Sequence, residues 1–142
     1  MFLLDVNVVI ALIDPAHIHH DIAHRWFGAE ASENFATCPL VQNGVLRIAG
    51  HPAYPNAQGA PAIVAGILTK LLQHPGHVFW PDDVSLLDRT RFDQAALLSH
   101  KQVTDTYLLG LAVAHAGRLA TLDAKLSARA VSDVHNALHV IH

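Results

Sequence analysis

Two hydrophobic rhythms alternate along this chain. Short apolar runs bounded by polar residues, proline or glycine give way to stretches in which apolar residues recur at helical spacing. Residues 2–5 read as a buried strand that ends in the carboxylate of Asp5. Apolar residues 8–13 begin a helix, and Asp14-Pro15 breaks it, because proline disfavours helical geometry in the residue before it. Residues 20–27 repeat the helical pattern, with Ile22, Ala23, Trp26 and Phe27 on one face. Phe35-Ala36-Thr37-Cys38 forms a second strand. Pro39 suits the first turn of a helix that runs to Ala49.

Residues 51–61, with three prolines and a glycine, read as a surface loop. Ile63, Val64, Ile67, Leu68, Leu71 and Leu72 then mark an amphipathic helix stopped by Pro75-Gly76. Val78-Phe79-Trp80 is a third strand. Helical pattern returns over residues 93–98 and again over 104–116, with Thr104 as the cap and Gly117 as the stop. Residues 118–122 give a fourth strand that runs into Asp123, and Leu138-His139-Val140-Ile141 gives a fifth. Strand and helix alternate throughout, which predicts an α/β three-layer fold with a mainly parallel five-stranded sheet. In such sheets ligands bind beyond the carboxyl ends of the strands. Asp5 and Asp123 both stand at ends of that kind.

The 142 residues suit a single domain, 1–142, and a hydrophobic content of 51% supplies its core. A charged fraction of only 15% excludes a disordered, tail-rich protein. The formal net charge of −3 argues against a surface that grips nucleic acid by bulk positive charge. It leaves room for a nucleic-acid enzyme with a local acidic metal site. The 12 histidines outnumber the 9 lysines and arginines, so mild acid would reverse the sign of the net charge. The one cysteine, Cys38, excludes an internal disulfide. The N-terminus has no basic leader, and no apolar run is long enough for a membrane span. A cytoplasmic location away from the membrane is therefore expected.

Three aspartates carry the candidate chemistry. Asp5 and Asp123 follow strands one and four, and Asp105 opens the helix at 104–116. If the two strands are neighbours, each carboxylate pair at about 5 Å repels by roughly 3 kcal/mol at an effective dielectric near 20. A bound Mg²⁺ or Mn²⁺ removes that penalty, since hard cations take carboxylate oxygens. Such a cation activates water and stabilises charge on a phosphoryl oxygen, which implies phosphodiester hydrolysis.

Four segments in register carry a resemblance. They are Leu3-Leu4-Asp5-Val6-Asn7-Val8-Val9-Ile10, the stretch from Ala36-Thr37-Cys38-Pro39 to Asn43-Gly44-Val45-Leu46-Arg47, Val103-Thr104-Asp105-Thr106-Tyr107-Leu108-Leu109, and Leu119-Ala120-Thr121-Leu122-Asp123. Together they resemble the PIN-domain family, and within it the VapC-like ribonuclease toxins of bacterial toxin–antitoxin pairs. The resemblance implies a Mg²⁺- or Mn²⁺-dependent endoribonuclease, a homodimer and a cognate antitoxin. It assigns metal binding and catalysis to Asp5, Asp105 and Asp123. It also implies that Asn7 supports the first aspartate and that Thr121 lies beside the metal. Where the family usually carries a glutamate, this chain has Gln42, which keeps the shape and loses the charge. The expectation is one bound cation and a weakened site, with a binding or regulatory module as the alternative. Asp21, Asp82 or Asp83 would restore a fourth carboxylate if the fold brought one close.

Other features have simpler readings. His20 and His24 share i, i+4 spacing, as do His135 and His139, but no third zinc ligand lies nearby. His17-Ile18-His19-His20 is expected near the carboxyl edge of the sheet. Arg25, Arg47, Lys101, Lys125 and Arg129 are the basic residues expected to face the acidic site or its substrate. Trp26 and Trp80 are expected in the core. The 63–72 stripe is expected in packing, in a dimer surface or in a groove for an antitoxin helix. A haloacid-dehalogenase-like phosphatase, with an aspartate after strand one, is the rival enzyme class. It needs Asp-x-Asp where this chain has Asp5-Val6-Asn7.

Overall fold

The buried apolar runs assemble into one parallel sheet in the computed structural model, which describes residues 1–142. Its strands are β1 (Phe2–Leu4), β2 (Phe35–Thr37), β3 (His77–Phe79), β4 (Arg118–Thr121) and β5 (Leu138–Val140), in spatial order β3-β2-β1-β4-β5. All four pairings are parallel, and β1 registers on β4 with Phe2 opposite Arg118 and Leu4 opposite Ala120. Parallel neighbours need long crossovers. Five helices serve them: α1 (Val6–Ile13), α2 (His20–Trp26), α3 (Pro39–Ala49), α4 (Pro61–Leu72) and α5 (Val103–Ala114). Successive strand residues point to opposite faces, yet Leu3, Leu4, Leu119 and Ala120 are all fully buried. Both faces of the sheet are therefore covered, which makes the three-layer α/β/α arrangement expected from the sequence. Trp26 and Trp80 join the core as expected. No helix is long and apolar enough to cross a membrane.

The chain reverses order between β1 and β4. From β1 the sheet grows outward through β2 and β3, then returns to add β4 on the opposite side. That reversal sets the carboxyl ends of β1 and β4 side by side, and Asp5 N–H bonds Ala120 C=O at 3.0 Å across it. Where α3 crosses α1, a glycine permits close approach. A Cβ on Gly44 would stand 2.8 Å from Val6 Cγ2, next to Asp5.

Three local expectations are corrected. Residues 93–98 form no α-helix, only a 3-10 turn over Gln94–Ala96. The flanking backbone is bonded elsewhere: Asp93 N–H to Ala130 C=O (2.8 Å) and Ser132 N–H to Arg91 C=O (2.9 Å), with Phe92 buried between. Thr104 does not cap α5. The helix continues from a 3-10 turn at His100–Gln102, whose Ser99 accepts Lys101 N–H at 3.2 Å while Ser99 N–H bonds Gln102 Oε1 at 3.1 Å. At the far end α5 stops at Ala114, and Ala116, not Gly117, takes the left-handed φ of 54°.

Phe92 fills a notch on α5 that only glycine leaves open. A Cβ on Gly110 would lie 2.2 Å from the Phe92 ring, and Phe92 is 1% exposed with little room to retreat. Gly110→Ala is expected to lower stability by about 1–3 kcal/mol despite the better helix propensity of alanine. Urea unfolding followed by circular dichroism checks this: the midpoint should fall with the slope unchanged.

Candidate active site

Asp5 stands one residue past β1 and is the N-cap of α1. Its Oδ1 accepts Val6 N–H at 2.7 Å, and its Oδ2 accepts the Thr121 hydroxyl at 2.7 Å. Thr121, the last residue of β4, is fully buried. Its Oγ1 also accepts the Asn7 amide at 3.3 Å and Asp123 N–H at 3.1 Å. Asn7 Oδ1 in turn accepts Leu122 N–H at 3.2 Å. One hydroxyl thus joins the start of α1 to the end of β4. Asn7 supports Asp5 through Thr121 rather than directly.

Burial pushes the Asp5 carboxyl above the ordinary carboxylate range, against the bonds from Thr121 and Val6, and the nearby charge of Asp123 adds to the rise. Asp123 is exposed and makes a local turn in which Oδ1 accepts Lys125 N–H at 2.9 Å. Asp105, in the first turn of α5, is half-buried. Burial, followed by repulsion from Asp5 and Asp123, raises its carboxyl to about 6. The three aspartates, Asn7 and His17 line one cavity of about 330 Å³, whose apolar wall is Val6, Ile10, Ile48 and the ring of Tyr54. A neighbouring groove of about 350 Å³ shares Asp105 and Asp123 and adds Lys101, Lys125 and Arg129.

The donor set suits a hard cation, because it offers carboxylate oxygens without thiols. No three Asp, Glu, His or Cys side chains are drawn into a closed coordination cluster. Mg²⁺ usually keeps several of its waters and takes only one or two carboxylates directly, so it does not require a closed cluster.

Gln42 lies apart from this cavity. Its Nε2 donates to the Thr37 hydroxyl at 3.1 Å, and Thr37 Oγ1 also lies 2.8 Å from His77 Nε2. No fourth carboxylate takes its place. Asp82 accepts Leu40 N–H (3.0 Å) at the start of α3, Asp83 pairs with His115 (2.9 Å), and Asp21 occupies the first turn of α2. The phosphatase reading has no second acid after β1, where Asn7 bonds Thr121 and Leu122 N–H instead. Of the basic candidates, Arg47 lines a shallow surface pocket with Ile48 and Tyr54, next to the acidic cavity, while Arg25 lines neither the cavity nor the groove. His20 and His24 have a structural role: His20 Nδ1 meets Ala11 C=O (2.7 Å) and His24 Nε2 meets Leu12 C=O (3.0 Å), carbonyls left open at the end of α1. The second histidine pair is not helical at all, since His139 lies in β5.

Sequence reasoning missed Asp14 and Tyr54. Asp14 ends α1 and is 2% exposed. It accepts Tyr54 O–H, Asn56 Nδ2 (3.0 Å) and Ala16 N–H (3.0 Å). Burial works to raise its carboxyl, but the hydrogen bonds from Tyr54, Asn56 and Ala16 prevail and hold it below the ordinary range. The loop at 51–60 is thereby clipped onto α1. The only signal in the sequence was Asp14-Pro15, which reads equally well as a simple helix break.

The raised Asp105 carboxyl has a consequence for stability. The folded state holds its proton up to about 6 and the unfolded chain releases it near 4. The contribution of Asp105 to the stability of the metal-free protein therefore falls as pH rises from about 4 to about 6, then levels off. Asp105→Asn is expected to raise metal-free stability at pH 7.5 by about 1 kcal/mol, discounted for partial exposure, and to change little at pH 4. Thermal melts with EDTA at the two pH values check this. With Mg²⁺ added, the variant should lose its advantage.

No protein-family model matches the chain. Curated relatives do. Ribonuclease VapC39 of Mycobacterium tuberculosis is 42% identical over 125 residues, covering 88% of this chain and 90% of its own length. Ribonuclease VapC44 of the same organism is 41% identical over 129 residues, covering 91% and 90%. Ribonuclease VapC38 is 42% identical over 125 residues, covering 87% and 86%. Likeness of this depth, over about nine-tenths of the chain and of each relative, means that the chain belongs to the VapC ribonuclease family.

Proposed function

We propose that the protein is an endoribonuclease that hydrolyses RNA phosphodiester bonds with the help of Mg²⁺ or Mn²⁺. One observation carries the reading. Carboxylates just past the ends of β1 and β4 and in the first turn of α5 line a single cavity, and a groove that shares Asp105 and Asp123 with it holds Lys101, Lys125 and Arg129. Asp5, Asp105 and Asp123 would hold the cation. When bound, it lowers the pKa of a water and stabilises charge on the phosphoryl oxygens. The chain does the rest. Thr121 and Val6 fix the rotamer of Asp5 by occupying one lone pair on each oxygen. The Lys125 N–H fixes Asp123 in the same way. Asp105 accepts no such bond, so its carboxylate is the one left free to respond to cation and water. Lys101, Lys125 and Arg129 offset the phosphate charge that the aspartates would otherwise repel.

Family membership supports two further parts of the proposal: a cognate antitoxin protein as partner, and a homodimer. It also supports a cytoplasmic setting, as a toxin of a toxin–antitoxin pair.

Purified, partner-free protein is incubated with single-stranded RNA and Mg²⁺ or Mn²⁺. Cleavage should require the metal and fall by about 100-fold or more in Asp5→Asn. Cleavage that survives EDTA, or is equal in the variant, overturns the proposal. Gln42→Glu tests the weakened-site alternative. Because Gln42 bonds Thr37 outside the cavity, the exchange should alter turnover by less than about threefold. A gain of about tenfold or more would instead favour a site crippled by the missing charge.

A further inference from the structure

The acidic cavity is larger and more apolar than a cation requires. A hard cation needs oxygen donors and water, and the aspartates supply one wall for that. The apolar part of the lining is Val6, Ile10, Ile48 and Tyr54. Ile48 is left 39% exposed, an unusual position for a large aliphatic side chain beside three carboxylates. Tyr54 is held in place by its hydroxyl, which donates to the buried Asp14 carboxylate, so its ring is fixed before any ligand arrives. His17 adds a polar handle. Its Nδ1 accepts His19 N–H at 3.0 Å, which leaves the proton of the neutral ring on Nε2. The adjoining groove differs in charge and in the kind of apolar surface it offers: it carries Lys101, Lys125 and Arg129 beside the aliphatic side chains of Leu98 and Leu126, with no aromatic ring.

We infer that the cavity divides its substrate, taking one unstacked nucleobase of single-stranded RNA against the Tyr54 ring and Ile48 while the sugar–phosphate backbone continues through the basic groove. This rests on RNA being the substrate. Aromatic stacking of splayed bases is the usual means of reading single strands, and a fixed ring loses little conformational freedom on binding. The volume, about 330 Å³, suits a group of that size. A base is therefore stacked on the Tyr54 side of the scissile phosphate, and the other side, which has no aromatic ring, supplies the positive charge.

The test uses short single-stranded RNAs with 2-aminopurine at each position around the cut, bound to the whole protein in EDTA so that nothing is cleaved. Fluorescence should be quenched at one position adjacent to the cut and not at the others. Tyr54→Leu should abolish that quench and weaken binding by about tenfold. Tyr54→Phe keeps the ring and should restore the quench. Ile48→Ala, which disturbs no hydrogen bond, should weaken binding by about threefold and guards against a folding defect at Tyr54. Lys125→Ala and Arg129→Ala should weaken all sequences alike and each lower the salt slope by about 0.7. Quenching that survives Tyr54→Leu overturns the inference. So does a Tyr54→Leu protein that binds RNA normally but no longer holds a co-purified partner protein, which would make the apolar wall a protein-docking surface. RNA that binds with the quench but is never cut overturns the nuclease reading and leaves the pocket standing. RNA that is cut without a local quench overturns the pocket alone.

Discussion

The hydrogen bond from the Thr121 hydroxyl to Asp5 Oδ2 is the contact on which the site is built. Two neighbouring parallel strands end at the same level, but nothing in a sheet ladder fixes the side chains beyond those ends. Thr121 does so with one buried oxygen that donates once and accepts twice, the full capacity of a hydroxyl. Through it Asp5, Asn7 and the Asp123 backbone become one unit. Helix α1 then starts in register with β4, and α5 approaches with Asp105 as a third, unbonded acid.

That arrangement works against stability, and the rest of the fold offsets the cost. The apolar residues of α1 and α5 bury the layer directly beneath the carboxylates, with Val8, Val9, Leu108 and Leu109 all fully enclosed. The charge is also local. The three site aspartates equal the whole formal net charge of −3, so the remainder of the chain is formally neutral with its histidines uncharged. An acidic total that first argues against a nucleic-acid partner is the signature of the site itself.

Much of this was legible in the sequence because it depends on local rules. Strand ends, helix starts and the parallel order follow from apolar runs, Pro39 at the start of α3 and aspartates at strand ends. The neighbouring of β1 and β4, and with it the meeting of Asp5 and Asp123, was only a condition in the sequence, because parallel pairing leaves the strand order open; the order β3-β2-β1-β4-β5 meets it. Tertiary bonding defeated the same rules elsewhere. The 93–98 segment has helical spacing, but Phe92 is drawn into the core and its neighbours bond to residues 130–132. Gln42 keeps the outline of a glutamate, yet its amide finds Thr37, a partner that sequence pattern does not reveal. Tyr54 reaches the cavity only because Asp14, 40 residues away, holds its hydroxyl.

Asp14 and Asp105 show what separates a structural acid from a chemical one in this fold. Asp14 is almost closed off from water, yet three donors surround it and keep its carboxyl below the ordinary range. Asp105 is less covered, has no donor and faces two like charges, and its carboxyl is raised to about 6. Depth therefore does not decide the matter; the count of satisfied lone pairs does. Saturated with protein donors, Asp14 has little left to offer a ligand and acts as a clip for the Tyr54 loop. Unsaturated, Asp105 keeps its lone pairs for something the chain does not supply. The two acids act on the same cavity, Asp14 by fixing the Tyr54 ring in its apolar wall and Asp105 by leaving its polar wall incomplete.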